Sequence, residues 1–166
     1  MKTYALPNYF DLNETIILLF WFVLFYFYIK LPKQFPASLT VFILVFGAFS
    51  ARLGDILFFP YDLYDVMDNP KHCIFDLILY TLIYPLYVYF YCYFYDRFKL
   101  STEFQFLHII CWAILSFIFE WLGSKAGIYT YKGWRPIYSF NIYLLLISWY
   151  TLMLYKAKSL HKSAAP

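Results

Sequence analysis

Four ionisable residues lie in stretches otherwise too apolar to hold charge: Arg52, Asp55, Asp76 and Glu120. Each costs about 2.5–3.5 kcal/mol to place in a helix at bilayer depth, so each needs a partner or water. Arg52 and Asp55 are one helical turn apart and can pair directly. Asp76 and Glu120 then have Arg52 or Lys132 as candidate counter-ions across a bundle. Such a set permits two chemistries. One is an interhelical ion-pair network that fixes register. The other is a polar cavity whose carboxylates bind a proton, a cation or a small polar ligand. Arg52, Asp55, Asp76, Glu120, Lys132 and Trp134 are the candidate site residues.

Other clusters are weaker. Asp62, Asp65 and Asp68 recur every three residues, with His72 four further on. Oxygens and an imidazole can hold a divalent cation, but the alternating acids and turn glycine of an EF-hand loop are missing. Pro60, Asn69 and Pro70 read more simply as turn chemistry around a solvated acidic face. Ser116 stands four residues before Glu120 without an assignable base or oxyanion donors, and is expected to bond to its own helix backbone. His108 is expected to be a packed or interfacial residue. There is no G-x-S-x-G, H-E-x-x-H, P-loop or G-x-G-x-x-G. No catalytic residue, metal site or cofactor is assigned.

The elements that must position these residues are membrane helices. Of 166 residues, 63% are hydrophobic and only 14% charged, against about 45–50% and about 25% in soluble domains. With a mean hydropathy of +0.60, this excludes a soluble enzyme, a nucleic-acid binder and a disordered chain. The 27% aromatic content is not by itself read as a ligand site. Five runs are long enough for a hydrocarbon core of about 20 helical residues: about 12–29, 37–59, 74–95, 104–123 and 136–155. The expected fold is all-α, a single-domain integral membrane bundle of five transmembrane helices. Pro36 and Pro136 suit helix starts, where a missing N–H costs nothing. The first run has no small-x-small cleavage site and is expected to remain in the protein.

Tyr87, Tyr89, Tyr91, Tyr93 and Tyr95 alternate as in a strand, but a lone strand cannot satisfy its backbone in lipid. As a helix, Tyr80, Tyr84, Tyr87, Tyr91 and Tyr95 share one face, kinked near Pro85. That face is expected to pack and anchor; the sharper reading makes it a polar cavity lining. Cys92 and Cys111 are expected to be small core residues, and Cys73 joins them as a third scattered thiol.

Sidedness follows the cations. Lys30, Lys33, Arg97, Lys99, Lys156, Lys158 and Lys162 share one side, leaving six of the 13 for the other. Arg52 is one of those six and sits at membrane depth. The side with more Lys and Arg is expected to be cytoplasmic, with the N-terminus outside and the C-terminus inside.

Gly54-Asp55, Phe75-Asp76 with Pro85 nine residues on, Phe119-Glu120-Trp121 and Tyr131-Lys132-Gly133-Trp134 form a further pattern. Across about residues 50–155 the chain resembles an uncharacterised family of small multi-pass membrane proteins from spore-forming bacilli and clostridia. The acidic 62–68 connection and the dense tyrosines depart from that pattern. The resemblance implies a cell-membrane location and no particular activity. The leading expectation is therefore a structural or partner-binding membrane protein, partnered by the lipid bilayer and by a second copy or a larger membrane partner. The alternative is a small proton- or cation-linked transporter or ligand sensor using Asp55, Asp76 and Glu120.

Overall fold

A computed structural model describes residues 10–67, 74–98 and 101–163. Asp68 and His72 of the acidic connection, and Cys73, lie outside them. Among the described residues, the apolar runs form α1 (Leu12–Lys30), α2 (Ala37–Phe58), α3 (Ile74–Ile78), α4 (Tyr84–Phe98), α5 (Thr102–Lys125) and α6 (Pro136–Ser163). A π-helical turn, Leu79–Ile83, fuses α3 and α4 into one rod. The described residues are thus all-helical apart from two three-residue strands, and five of their helices are long and apolar enough to cross a membrane.

Local chemistry explains the boundaries. Asp11 caps α1 reciprocally with Glu14, each side chain accepting from the other's backbone N–H. Pro136 opens α6 at the position that needs no donor. The α5 C-terminus closes on Gly127 at φ +79°, with Ile128 N–H donating to the Gly123 carbonyl at 2.8 Å. This is the left-handed cap that glycine adopts without strain. Helix α6 continues eight residues past the expected end at 155, because Lys156–Ser163 contains no breaker.

The α3–α4 rod is the axis of the bundle. Over its most apolar 18 residues, 61% of positions are buried, against 17–28% in the other four helices. Pro85 explains the π turn: its ring would collide with the carbonyl four residues back, and an extra residue per turn moves that carbonyl away. The expected kink is therefore a register shift. At the same level Gly47 brings α2 against the rod, since a Cβ there would lie 3.0 Å from Pro85 Cα.

One buried cluster joins α2, α4, α5 and α6 around Ile43, Tyr89, Tyr91, Cys92, Ala113 and Leu154. Large apolar side chains such as Leu19, Val45, Ile118 and Leu145 point outward and are exposed. That is an apolar exterior around a partly polar interior. Cys92 is fully buried as expected, whereas Cys111 is exposed among these outward residues. Its place on α5 faces away from the rod, so hydrophobicity alone did not make it a core residue.

The strands lie between the helices. β1 (Tyr64–Val66) and β2 (Tyr129–Tyr131) pair antiparallel, with Tyr64 opposite Tyr131 and Val66 opposite Tyr129. The Met67 N–H donates to the Ile128 carbonyl at 2.8 Å, and Lys132 N–H to the Leu63 carbonyl at 2.9 Å, extending the ladder at both ends. Two connections that looked like separate turns are thereby tied into one lid. Met67 and Ile128 pack beneath it on Ile17, Phe75, Leu79 and Ile83.

Candidate functional site

A cavity of about 590 Å³ lies under this lid, walled by all five long helices and both strands. Its wall is mostly apolar, with eight tyrosines: Tyr64, Tyr80, Tyr84, Tyr87, Tyr129, Tyr131, Tyr143 and Tyr150. Small residues, Ser50, Ala51 and Gly54 on α2 and Ser116 and Gly123 on α5, leave the space open. Of the tyrosine face on the central rod, Tyr80, Tyr84 and Tyr87 line the cavity. Tyr91 instead bonds to Thr151, and neither it nor Tyr95 lines the cavity. The sharper reading of that face therefore holds for its first three members.

Glu120 is the focus of the wall. Its Oε1 accepts from Tyr131 at 2.6 Å and from Ser139 at 2.7 Å, and its Oε2 accepts from Tyr143 at 2.5 Å. The Trp134 indole N–H donates to Ser139 at 2.7 Å, which orients that hydroxyl toward the carboxylate. Both of its oxygens act as acceptors. Among the described residues no cation pairs with Glu120.

This corrects the expected pairing of Glu120 with Arg52 or Lys132. Strand β2 alternates, so Tyr129 and Tyr131 face the cavity while the next residue, Lys132, leaves it. Lys132 instead reaches Asp62 at 2.9 Å and Asp65 at 3.0 Å, locking the two connections together outside the cavity. Those hydrogen bonds raise the pKa of Lys132 above the ordinary lysine value. Two of the three acids weighed for a divalent cation are thus engaged by an ammonium.

Arg52 and Asp55 pair as expected, at 3.3 Å. Asp55 lines the cavity; the Arg52 guanidinium sits 4.9 Å from the centre of the Tyr80 ring. Asp76 lies half-buried in the first turn of α3 and is not among the lining residues. Of the six candidate residues, Asp55, Glu120 and Trp134 come together on the wall. Arg52 backs it, Lys132 latches the lid, and Asp76 lies beyond the lining residues.

Six further lining hydroxyls pair with each other. Tyr84 and Tyr129 share a 2.5 Å bond, Tyr87 bonds Ser116 at 2.9 Å, and Tyr150 bonds Ser50 at 2.8 Å. Ser116 also donates to the Trp112 carbonyl, the backbone bond expected of it. Burial pushes the Tyr129 phenol up to about 12. Burial first, then the Glu120 hydrogen bond, raises Tyr131, and burial raises Tyr64. All three are neutral donors at physiological pH.

At the other end of the bundle, Asp96 accepts from Gln34 at 2.9 Å and pairs with Lys158, tying α4 to α6 and to the α1–α2 connection. His108 packs among the rings of Tyr91, Tyr95, Phe98 and Trp112. No protein-family model, no curated protein and no solved structure matches the chain.

Proposed function

We propose that this is a multi-pass membrane protein that takes a small, largely apolar molecule into the cavity beneath its lid, as a sensor or carrier. The observation that carries this reading is a space of about 590 Å³ with a carboxylate in its wall, held by hydroxyls and paired with no cation among the described residues. That size and a mostly apolar lining with a few convergent polar groups suit a small-molecule site. A wall devoted only to structure would close around its charges. The purely structural or partner-binding alternative draws on the ion pairs of Arg52, Lys132 and Lys158. These order the ends of helices and the lid, and leave the cavity without a role.

The lid faces outside on this reading, because the opposite end carries more Lys and Arg. A single cysteine at Ser159 should then label from the cytoplasm only; labelling from outside would reverse the sidedness. Kinship with the spore-former membrane family is proposed on the residues quoted above. Gly54, Asp55, Phe119, Glu120, Tyr131 and Trp134 of that pattern all line the cavity.

Gly54 supplies the test of binding. A Cβ there meets no atom within 4 Å, so Gly54→Phe adds a ring to open space. In lipid nanodiscs the wild type should bind at least one of benzyl alcohol, neopentylbenzene and benzyltrimethylammonium saturably, and Gly54→Phe should lose that binding while remaining folded. No saturable binding, or binding untouched by the added ring, removes the cavity from the function.

A further inference from the structure

We propose that the cavity's ligand is a monovalent organic cation, an ammonium-type head on an apolar body, with Glu120 as its counter-ion and tyrosine rings as its walls. This rests on the ligand-binding reading above and adds the charge of the ligand. Among the described residues the lining contains two carboxylates, Asp55 and Glu120, and no Lys, Arg or His. Arg52 answers Asp55. Among those residues hydroxyls alone answer Glu120, so an entering molecule meets one carboxylate with no described cation paired to it.

All the lining hydroxyls but those of Tyr64 and Tyr80 are already engaged, three on Glu120 and the rest with Tyr84 on Tyr129, Tyr87 on Ser116 and Tyr150 on Ser50. What they leave to offer are ring faces, whose quadrupole attracts cations. The wall shows this chemistry from its far side, where the Arg52 guanidinium lies 4.9 Å from the centre of the Tyr80 ring. An anion would meet Glu120 repulsively. A bare divalent metal would want about six oxygen ligands, and no group of three His, Cys, Asp or Glu side chains converges among the described residues. A cation with an apolar body uses the carboxylate, the rings and the volume together.

The test uses two probes of one shape: benzyltrimethylammonium and neopentylbenzene, which replaces the charged nitrogen by carbon. Binding is measured on the whole protein in nanodiscs by saturation-transfer NMR, against empty nanodiscs, at matched free concentration. The cation should bind about tenfold or more tightly than its neutral counterpart. Glu120→Gln should erase that preference while leaving neopentylbenzene binding in place, and Glu120→Asp should keep it. Equal binding of both probes overturns the cation assignment and leaves the cavity reading standing. Saturable binding of neither overturns the cation assignment, and if benzyl alcohol also fails to bind, the cavity reading falls with it. The comparison on wild type decides even where Glu120→Gln fails to fold.

Discussion

Replacing Glu120 separates the acceptor geometry of the site from its charge. Three hydroxyls donate to its carboxylate at 2.5–2.7 Å, two to one oxygen and one to the other. In Glu120→Gln the amide carbonyl can take the doubly bonded position and keep Tyr131 and Ser139. The amide NH2 then faces Tyr143, whose hydroxyl can turn and accept. Three charge-assisted bonds become neutral ones, losing about 1 kcal/mol each, while the cost of holding a half-buried charge, of similar size or larger, disappears. The net change should be small, within about 2 kcal/mol of zero in either direction. Glu120→Ala removes the acceptor altogether and strands three donors. At roughly 1 kcal/mol or more for each, it should be about 3 kcal/mol or more worse than the amide. Reversible unfolding in mixed micelles, followed by tryptophan fluorescence, compares the two variants. A Tyr143→Phe background should shrink the gap, because one of the three donors is already gone. If Gln and Ala are equally damaging, the charge and not the acceptor geometry holds the site, and Glu120 has a cationic partner in the folded protein. If both are harmless, the hydroxyl network contributes nothing to stability.

Two further predictions concern the frame around the cavity. Gly47→Ala and Gly54→Ala should both gain about 0.8–1 kcal/mol of helix propensity. Only Gly47→Ala presses a methyl to 3.0 Å from Pro85 Cα and 3.2 Å from Val88 Cβ. Overpacking costs about 1–3 kcal/mol, so Gly54→Ala should stabilise and Gly47→Ala should come out neutral to destabilising in the same unfolding assay; equal effects would remove the close contact between α2 and the central rod. Lys132→Met should speed amide exchange of Asp65, Met67 and Thr130, whose N–H groups bond across the strand pair, while leaving the helices unchanged, and unaltered exchange would show that the lid has no latch. Because its acid partners raise the pKa of Lys132, the latch's contribution is complete below the unfolded lysine value of about 10.4. It fades only as pH climbs through the higher folded value, so the lid should be insensitive to lysine titration at neutral pH.

The long helices were legible because hydropathy and length report lipid-sized segments directly, and Pro36, Pro60 and Pro136 mark their limits. The lid was not. Its strands are three residues each, with no alternating run long enough to register, and the partner of Tyr64 is Tyr131, beyond two whole helices. Knowing that pairing is what puts Tyr131 on the cavity side and Lys132 on the other, so the expected Glu120–Lys132 contact failed for want of one register. Glu120 itself was visible as a charge in an apolar helix. Its donors were visible only as a face: Ser139 and Tyr143 are one turn apart on α6, a signal submerged among 19 tyrosines. The cavity was hardest of all, since it is made by residues that fail to fill space. Gly47, Ser50, Ala51 and Gly54 form a stripe of small residues on α2, the pattern that lets helices approach closely. At Gly47 that is what happens, and an added methyl would strike Pro85. Two turns later the same residue type, at Gly54, faces open space. The π turn before Pro85 separates these outcomes: within it, Tyr80 is part of the cavity wall, and the gap that α2 does not close becomes the site.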